Sequence, residues 1–300
     1  MNLKKKISWR TACILFTERC LCFLPDKPYL KLLFRLRMGR PLNLKDPEAF
    51  SDKLQWLKLY NRRPEYTMMV DKYAVKDYVA GIIGKEHVIP TFGVWNRPED
   101  IDWNNLPQSF VLKCTHDSGT IIIVRDKSNV DKALVEKKLR RWIKRDYYRS
   151  SREWPYKNVP RRIIAESFID PRPEYDDLYD FKFFTFNGEP DVLLFCSERK
   201  NGSSKWDFYD MNMQKMDVSA VHHKTSCLDL KKIISRSVFD EMKNNARMLS
   251  KNIPFVSVDQ YYFNHQVYFG ELTFYSGSGF LQYNPPQFDK FLGDRIIMPE

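Results

Sequence analysis

The amino-acid sequence predicts an α+β fold built on antiparallel sheets, and three observations support that prediction. Short β-branched and aromatic runs occur in pairs around tight polar turns, at residues 110–124, 180–196 and 254–274. Segments with apolar residues at helical spacing lie between these pairs, as in α+β proteins. The 300 residues are 43% hydrophobic and 15% aromatic, so the chain can bury a core. We expect one unit of two or three packed lobes around a shared cleft.

The N-terminal 25 residues combine basic and apolar side chains. Lysines at residues 4–6 precede an apolar run that Glu18 and Arg19 interrupt, and no small-residue cleavage site follows. The pattern therefore argues against a signal peptide and against a membrane-spanning helix. Two interpretations of residues 1–25 stay open: an amphipathic helix packed on the protein, or a peripheral contact with an anionic membrane surface.

The next elements are predicted as short helices followed by a strand. Residues 28–60 carry apolar and basic side chains at helical spacing, broken by Gly39 and Pro41, which predicts helices joined by turns. Residues 71–79 predict another helix. Residues 88–94 include a proline and a glycine and predict a short strand that leaves a turn.

A hairpin with a small polar tip is predicted in the middle of the chain. A strand at residues 110–113 runs into Cys-Thr-His-Asp-Ser-Gly-Thr, and a β-branched strand follows at residues 121–124. Residues 130–149 are strongly charged and predict one helix. Residues 161–169 predict a further strand.

Two more strand pairs are predicted towards the C-terminus. An Asn-Gly step at residues 187 and 188 lies between β-rich runs and is a strong hairpin signal. A short polar turn at Asn264 and His265 separates the last pair. The predicted elements are strands at residues 180–186 and 190–196, a long helix at residues 228–250, and strands at residues 254–263 and 267–274.

The charge balance favours an anionic partner. Lysine plus arginine exceeds aspartate plus glutamate by 49 − 38 = 11, which suits nucleotide, nucleic acid, phospholipid or acidic polysaccharide. We expect no nucleic-acid partner, because the sequence shows no RNP-type aromatic motif, zinc-finger spacing or long basic helix. The six cysteines are scattered and lack zinc-ligand spacing with the five histidines, so we expect reduced cysteines in a cytosolic protein.

Lys113 and the loop after it form the first candidate site. A lysine at a strand end can neutralise a phosphate, and a small loop lets backbone N–H groups approach phosphate oxygens. That loop contains Ser118, Gly119 and Thr120, but it lacks the Gly-Lys-Ser/Thr ending of a Walker-type loop. Alone, such a loop is more often an ordinary hairpin with a solvated lysine.

Asp259 and Glu271 form the second candidate site, on the last strand pair. They lie among Val, Tyr and Phe residues, where a carboxylate costs free energy unless a cation satisfies it. Mg²⁺ held by one or two carboxylates and phosphate oxygens meets that need; two surface carboxylates are the simpler alternative. Residues 270–273 alternate in polarity, so Glu271 and Thr273 face the same side. We predict a site for a nucleotide and magnesium.

Taken in order, these motifs resemble those of the ATP-grasp enzymes. The shared features are Asp-Lys at residues 71–72, the strand and loop from residue 110, Ile-Ala-Glu-Ser-Phe-Ile at residues 164–169, Asp-Phe-Lys at residues 180–182, Val-Asp at residues 258–259 and Gly-Glu-Leu-Thr at residues 270–273. More narrowly, residues 43–60 and Gly-Glu-Leu-Thr-Phe-Tyr at residues 270–275 resemble the TupA-like branch, named for teichuronopeptide biosynthesis and found among cell-surface polysaccharide genes. The resemblance begins near residue 26 and continues to the C-terminus.

The resemblance implies the ATP-grasp fold, in which two antiparallel-sheet lobes with helices enclose a nucleotide cleft. A helical N-terminal region would precede these lobes. The expected units are a basic amphipathic segment at residues 1–25, an N-terminal region at residues 26–108, an ATP-binding lobe at residues 109–198, and a C-terminal lobe with the metal site at residues 199–300.

The resemblance also implies which residues would bind the phosphates. Lys72 and Lys113 would contact the phosphates of ATP. The loop of Ser118, Gly119 and Thr120 would close over the β- and γ-phosphates.

Other positions would bind the rest of the nucleotide and the metal. Glu166 lies on the hinge strand whose following backbone would bind adenine, and Asp180 would bind the ribose hydroxyls. Asp259 and Glu271 would ligate Mg²⁺. Thr273 would be a further metal ligand, at a position where the wider family usually has asparagine.

Ser257 is a departure from the family pattern. The wider family usually has an arginine two residues before the metal aspartate, where it would stabilise charge on the transferring phosphoryl group. Lys182, Arg199 and Lys215 are candidates to replace that charge. We predict Lys182 and Arg199 as the catalytic residues.

The reaction implied by the resemblance is an ATP-dependent ligation of a carboxylate to an amine. The expected partners are an anionic carbohydrate or uronic-acid acceptor and an amine donor, in the synthesis of a cell-surface polysaccharide or capsule. The expected place is the cytoplasm, with the inner face of the membrane as the alternative. Two other functions stay open: a glycosyltransferase or phosphotransferase of the same pathway, and a degenerate nucleotide-binding scaffold.

Overall fold

The structure is a computed structural model that describes residues 8–169, 178–198 and 204–299. It contains two main antiparallel sheets. The first, called here the N-terminal sheet, consists of β1 (Thr91–Trp95), β2 (Phe110–Cys114), β3 (Ile121–Val124) and β4 (Ile163–Ser167). Its spatial order is β1-β4-β2-β3.

The second sheet, called here the C-terminal sheet, is larger. Its strands are β5 (Asp180–Phe186), β6 (Glu189–Ser197), β7 (Lys205–Tyr209), β9 (Phe255–Phe263) and β10 (Gln266–Thr273). Their spatial order is β10-β9-β5-β6-β7, so the predicted boundary between residues 198 and 199 falls between two strands of one sheet. A separate ribbon pairs β8 (Ser219–Ala220) with β11 (Tyr283–Asn284).

Helices precede, separate and follow these strands. In the described residues they are α1 (Trp9–Cys20), α2 (Asp26–Met38), α3 (Phe50–Tyr60), α4 (Glu65–Val70), α5 (Val75–Ile83), α6 (Lys132–Trp142), α7 (Tyr147–Ser151), α8 (Leu230–Ile233), α9 (Arg236–Leu249) and α10 (Gln287–Gly293). The predicted α+β class with a helical N-terminal region is confirmed. No helix in the described ranges is long and apolar enough to cross a bilayer.

The predicted strand pairs form because their turns suit them. Asn187 and Gly188 both have positive φ, 53° and 90°, the backbone conformation that joins two strands in a tight hairpin. β5 and β6 accordingly pair from Asp180 with Cys196 to Phe186 with Glu189. The pairs β2 with β3 and β9 with β10 are likewise antiparallel, as predicted.

Two predicted long helices are broken, which corrects the sequence prediction. The helix predicted at residues 130–149 ends at Trp142, and α7 begins only after Asp146. The helix predicted at residues 228–250 is divided at Ser235, whose hydroxyl accepts the Val238 N–H and starts α9. Ser235 thus caps α9 through its hydroxyl, whereas Asp146 precedes α7 without a side-chain cap and pairs with Arg149 at 2.9 Å.

The region around residue 71 also differs from its prediction. The helix predicted at residues 71–79 begins at Val75, because the Asp71 carboxylate accepts the Tyr73 N–H at 2.9 Å and holds a turn. The strand predicted at residues 88–94 is found at Thr91–Trp95.

Each main sheet is covered by its own helix. α9 turns Phe239, Met242, Ala246 and Leu249 towards the C-terminal sheet, and the rings of Phe239 and Phe183 lie 5.4 Å apart. This spacing is that of an amphipathic helix, and each large buried side chain contributes about 1.5–3 kcal/mol.

The N-terminal sheet has a separate core. Phe110 and Leu112 of β2 pack with Val135 and Leu139 of α6. Two cores on two sheets leave room for a cleft between the sheets.

Candidate active site

A cavity of about 310 Å³ lies between the N-terminal and C-terminal sheets. This volume is at the lower end of the range for small-molecule sites. The predicted site residues that line it are Lys72, Lys113, Ser118, Gly119, Thr120, Glu166, Asp180, Lys182 and Glu271. Candidates from both halves of the chain therefore meet in one place.

One side of the cavity is basic, and we call it the basic wall: Lys72, Lys76 and Lys113 with Glu166. Lys113 Nζ lies 2.7 Å from Glu166 Oε2, and Lys76 Nζ lies 2.5 Å from Glu166 Oε1. Three ammonium groups and one carboxylate give this wall a formal charge of 3 − 1 = +2. Such a surface suits a phosphate chain.

The charges of the basic wall stabilise one another. Burial raises the pKa of Glu166, but Lys113 and Lys76 outweigh that effect and hold the pKa below its ordinary value. Burial lowers the pKa of Lys76, and Glu166 opposes that shift. An entering phosphate would share these two ammonium groups with Glu166.

The loop after β2 is held by Asp117. Lys72 donates from Nζ to the Asp117 carbonyl oxygen, and the Thr120 hydroxyl donates to the Asp117 carboxylate. Asp117 is itself buried, whereas Ser118 and Gly119 are exposed at the tip and line the cavity. The loop therefore has a fixed base and an accessible backbone.

Glycine is needed at position 119 for the backbone conformation, not because a Cβ atom would clash with a neighbour. Its φ is +81°, and no atom lies within 4 Å of the position that a Cβ would take. Glycine adopts this left-handed conformation readily, while other residues do so at a cost. The peptide at the loop tip is therefore open to a ligand.

The opposite side of the cavity is lined by Asp180, Lys182 and Glu271, and Asp259 is buried in contact with Lys182; we call these four residues the acidic wall. The register places Lys182 of β5 beside Asp259 of β9, and Asp259 beside Glu271 of β10. Asp180 is two residues before Lys182 and shares its face of the sheet. With all four groups ionised, these described residues carry a formal charge of 1 − 3 = −2.

Lys182 and Ser257 hold Asp259 in place. Lys182 Nζ lies 2.9 Å from Asp180 Oδ2 and contacts Asp259 Oδ2. The Ser257 hydroxyl donates to Asp259 Oδ1 at 2.6 Å. Ser257 therefore orients the carboxylate without adding charge, and Lys182 supplies a cation next to it.

Burial and the neighbouring charges together shift the pKa values of Asp259 and Lys182 in the acidic wall upward. Burial raises the pKa of Asp259; Lys182 opposes this shift, whereas Asp180 and Glu271 add to it, and the pKa reaches about 8. Burial lowers the pKa of Lys182, but the three carboxylates outweigh burial and hold the pKa well above its ordinary value. Additional positive charge would stabilise this wall.

A β-bulge determines how Glu271 is presented. The β9–β10 register shifts between Phe269 and Glu271, at Gly270. A Cβ on Gly270 would lie 3.0 Å from the Asp259 carbonyl oxygen and 3.0 Å from Tyr261 Cε2. Bulges re-aim the side chains beside them, and glycine allows this one to form next to Asp259.

The acidic wall fits Mg²⁺. Its donors are carboxylate oxygens, and its formal negative charge matches a divalent cation. Among the described residues, no three His, Cys, Asp or Glu side chains cluster as a complete metal site. Mg²⁺ is commonly held by one or two carboxylates together with substrate phosphates, so Asp259 and Glu271 suit a metal that binds with a nucleotide.

Of the predicted residues that the structure describes, Asp259, Thr273 and Lys215 do not line the cavity. Thr273 is half-buried and pairs in register with Ser257, beyond the lining residues. Arg199 lies outside the described residues. Lys215 forms an ion pair with Asp207 at 2.6 Å and lines a different groove, so it does not supply a cation to this cavity.

Lys76 and Trp206 are among the lining residues that the sequence analysis missed. Lys76, four residues after Lys72, could have been found from that spacing. Trp206 lies on β7, a strand that was not predicted, although Lys-Trp-Asp-Phe-Tyr at residues 205–209 is typical of one. The Trp206 ring stacks on His223 at 3.6 Å, which presents a flat aromatic surface at the cavity.

Two sheets face each other across the cavity, one with lysines that suit phosphates and the other with paired carboxylates. This arrangement is that of a cleft of the ATP-grasp class. The profile of the TupA-like ATP-grasp family matches residues 52–297. The chain therefore belongs to the TupA-like ATP-grasp family, and the resemblance drawn from its motifs is confirmed.

Several solved structures are similar to this chain. D-alanine–D-alanine ligase from Helicobacter pylori has 14% identity and a TM-score of 0.45, over 83% of this chain and 70% of that protein. D-alanine–D-alanine ligase from Bacillus anthracis complexed with ATP has 14% identity and a TM-score of 0.40, over 69% and 55%. The ATP-grasp ligase PsnB, complexed with minimal precursor, Mg and ADP, has 11% identity and a TM-score of 0.38, over 75% and 57%.

The chain thus spans little more than half the length of the Bacillus anthracis enzyme and of PsnB. Among curated proteins, none matches the sequence. The family assignment therefore depends on the profile match.

Proposed function

We propose that the protein is an ATP-dependent ligase that joins a carboxylate to an amine. The observation that carries this proposal is the pairing of a basic wall and an acidic wall across one cavity. A polyphosphate needs cations along its chain, and a magnesium ion bound to it needs carboxylates. The two walls offer these groups on opposite sides.

In this proposal the basic wall binds the phosphates. Lys113 and Lys72 neutralise phosphate oxygens, and the exposed loop tip at Ser118 and Gly119 donates backbone N–H groups to them. Thr120 shapes the loop through its hydrogen bond to Asp117 rather than by facing solvent.

The nucleoside would lie further along the cavity. We assign adenine to the backbone that follows Glu166 and the ribose hydroxyls to Asp180. Trp206 adds an aromatic surface at the same cavity, and such a ring binds the face of a base or a sugar.

The acidic wall would hold the metal through Asp259 and Glu271, with Thr273 as the third predicted ligand. When bound there, Mg²⁺ would neutralise charge on the phosphates. Lys182 would stabilise the charge that develops on the phosphoryl group during transfer. It would replace the arginine that the wider family usually has at the position of Ser257. Arg199 remains a second prediction for that role.

The reaction balances without a covalent enzyme intermediate. A substrate carboxylate oxygen attacks the γ-phosphorus, the bond to the β–γ bridging oxygen breaks, and ADP leaves with that electron pair. The amine nitrogen of the second substrate then attacks the acyl carbon, and phosphate leaves carrying the proton lost from nitrogen. The protein's contribution is positioning and charge neutralisation.

We further propose that the carboxylate belongs to a uronic acid or another anionic carbohydrate of a cell-surface polysaccharide or its precursor. The family's name and the net charge of +11 support this choice. The activity would then be located in the cytoplasm, where ATP is available.

Turnover with defined substrates tests the proposal. The protein is incubated with ATP, Mg²⁺, uronic acids and a pool of amino acids and amino sugars, and products are analysed by mass spectrometry. We expect one ADP and one phosphate for each amide. Release of ADP without an amide would overturn the ligase assignment.

A binding comparison separates the alternative functions. Thermal stabilisation by ATP is compared with stabilisation by sugar nucleotides, both with Mg²⁺. We expect ATP to stabilise more strongly. Preference for sugar nucleotides would indicate a glycosyltransferase or a phosphotransferase, and ATP binding without any turnover would indicate a scaffold.

A further inference from the structure

The outer side of α1 exposes large apolar side chains. Trp9 is 75% exposed and Phe16 is 57% exposed, at positions seven residues apart in the helix. Phe23, in the turn that follows α1, is 75% exposed. Exposed apolar residues scattered singly are common, but several large ones together mark a surface that binds something.

The helix is attached to the protein largely by its polar residues. Arg10 donates from Nε to the Leu36 carbonyl oxygen at 2.5 Å and from Nη2 to the Arg37 carbonyl oxygen at 3.1 Å, at the end of α2. Glu18 forms an ion pair with Arg37. Ile14 is the partly buried apolar side chain that α1 adds to the core beside α2. These contacts fix α1 with its aromatic side outward.

Exposed basic side chains occur on α2 and on α1 itself. Lys27, Lys31 and Arg35 occur at intervals of four residues along α2 and are all exposed, so they form one row on the helix. Arg19 is exposed on α1 itself. We call this surface of α1 and α2 the N-terminal face.

We propose that the N-terminal face docks the protein on an anionic lipid bilayer, with α1 lying in the plane of the interface. Aromatic residues enter the boundary between headgroups and acyl chains, while exposed lysine and arginine on the same two helices attract anionic headgroups. This inference does not depend on the ligase activity. It favours the second of the two interpretations that the sequence left open for residues 1–25.

A lipid surface fits this face better than a second copy of the chain does. A symmetric contact between two copies would bring the same basic row of each into proximity. The chain also carries a net charge of +11, so self-association would be opposed by like charge. An anionic bilayer complements both the row and the net charge.

Vesicle co-sedimentation of the full chain tests the proposal. One set of vesicles contains phosphatidylcholine alone, and the other contains equimolar phosphatidylglycerol and phosphatidylcholine. We expect sedimentation with the second set at low salt, and little with the first. Absence of sedimentation with anionic vesicles would overturn the proposal.

Removal of the aromatic residues gives a sharper test. Phe16→Ser with Phe23→Ser should weaken vesicle affinity about a hundredfold, because each lost aromatic ring reduces it about tenfold. The matched control is Ile297→Ser, since Ile297 is 72% exposed in the C-terminal segment. Unchanged affinity in the double variant would contradict the proposal. If wild type does not bind vesicles but forms a concentration-dependent dimer, and the double variant but not the control abolishes that dimer, the partner would instead be a second copy of the chain.

Two further measurements distinguish the basic row and the position of α1. Lys27→Gln, Lys31→Gln and Arg35→Gln together should weaken binding to anionic vesicles about a hundredfold, since each charge near the surface contributes about fivefold.

Tryptophan fluorescence tests the position of α1. The emission spectrum of wild type minus that of Trp9→Phe isolates the signal of Trp9, one of seven tryptophans. We expect that difference spectrum to shift to the blue with anionic vesicles, and an unshifted spectrum would exclude insertion of α1.

Discussion

The two walls of the cavity hold buried charge in different ways. In the basic wall the Glu166 carboxylate lies between two ammonium groups, and its pKa is held below the ordinary value. In the acidic wall the Lys182 ammonium lies among three carboxylates, and the pKa of Asp259 rises to about 8. Among the described residues, the carboxylate of the basic wall therefore contacts two ammonium groups, whereas the three carboxylates of the acidic wall surround one. The comparison supports the proposal that phosphates bind at the basic wall and a metal ion at the acidic wall.

The largest expected effect comes from removing the Lys182 ammonium group of the acidic wall. Lys182→Met should lower the free energy of unfolding by about 3–5 kcal/mol in metal-free buffer, because Asp180 and Asp259 lose a buried partner. Urea denaturation measures this change, and Mg²⁺ with ATP should restore part of it. Lys138→Met, at an exposed position of α6, is the matched control. A loss no larger than that of the control would contradict the account of the acidic wall.

The next effect concerns the basic wall and appears in binding. Lys113→Met should weaken ATP affinity about thirtyfold, since a hydrogen bond to a charged group contributes about 2 kcal/mol. Folding should be preserved, because Lys76 still pairs with Glu166. Isothermal titration calorimetry measures the affinity, and the loss should be similar with and without Mg²⁺. Wild-type affinity in this variant would remove Lys113 from the phosphate site.

The pH dependence of binding distinguishes the two walls further. With a pKa of about 8, Asp259 is largely protonated at pH 7 and must release its proton when a cation binds. Affinity for Mg²⁺ with ATP should therefore rise with pH, approaching tenfold per unit below pH 8, and level off above it.

Calorimetry at pH 7 in two buffers of different ionisation enthalpy should detect the release of about one proton. The Asp259→Asn variant serves as the background, because its side chain cannot titrate. Proton uptake, or equal proton release in both proteins, would contradict the assignment of the metal to Asp259.

The smallest effect concerns the loop of the basic wall. Gly119→Ala should lower the free energy of unfolding by about 1 kcal/mol, since φ is +81° there although space is available. Gly81→Ala is the control: Gly81 lies in α5 with no atom near its Cβ position, and alanine should stabilise the helix by about 0.5–1 kcal/mol. Thermal denaturation of both variants measures whether their stabilities change in opposite directions. A change in the same direction in both would contradict the loop conformation.

The strands were predictable because their signals are local. The Asn-Gly step at residues 187 and 188 and the paired β-rich runs specify hairpins within a few residues of sequence, and the structure contains those hairpins. Helix limits were less predictable. Periodicity continues across Asp146 and Ser235, whereas the structure starts a new helix after each. At Ser235 a local hydroxyl cap overrides the continuous pattern.

The site was predictable where its residues lie at recognisable strand ends, as for Lys113 and Glu271. The pairing of Lys182 with Asp259 joins residues 77 positions apart, and it depends on β5 lying next to β9. That arrangement is a property of the whole sheet, which local patterns do not specify. Trp206 was missed because β7, at the far edge of the same sheet, was not predicted although residues 205–209 are typical of a strand.

The most direct test of the two-wall account is the affinity of wild type and Glu271→Ala for ATP, with Mg²⁺ and with a chelator. We expect wild type to bind more tightly with Mg²⁺. We expect Glu271→Ala to stay folded and to keep the affinity measured in chelator, but to lose the gain from Mg²⁺, because Glu271 belongs to the acidic wall alone. An equal gain from Mg²⁺ in both proteins would contradict the placement of the metal at Asp259 and Glu271.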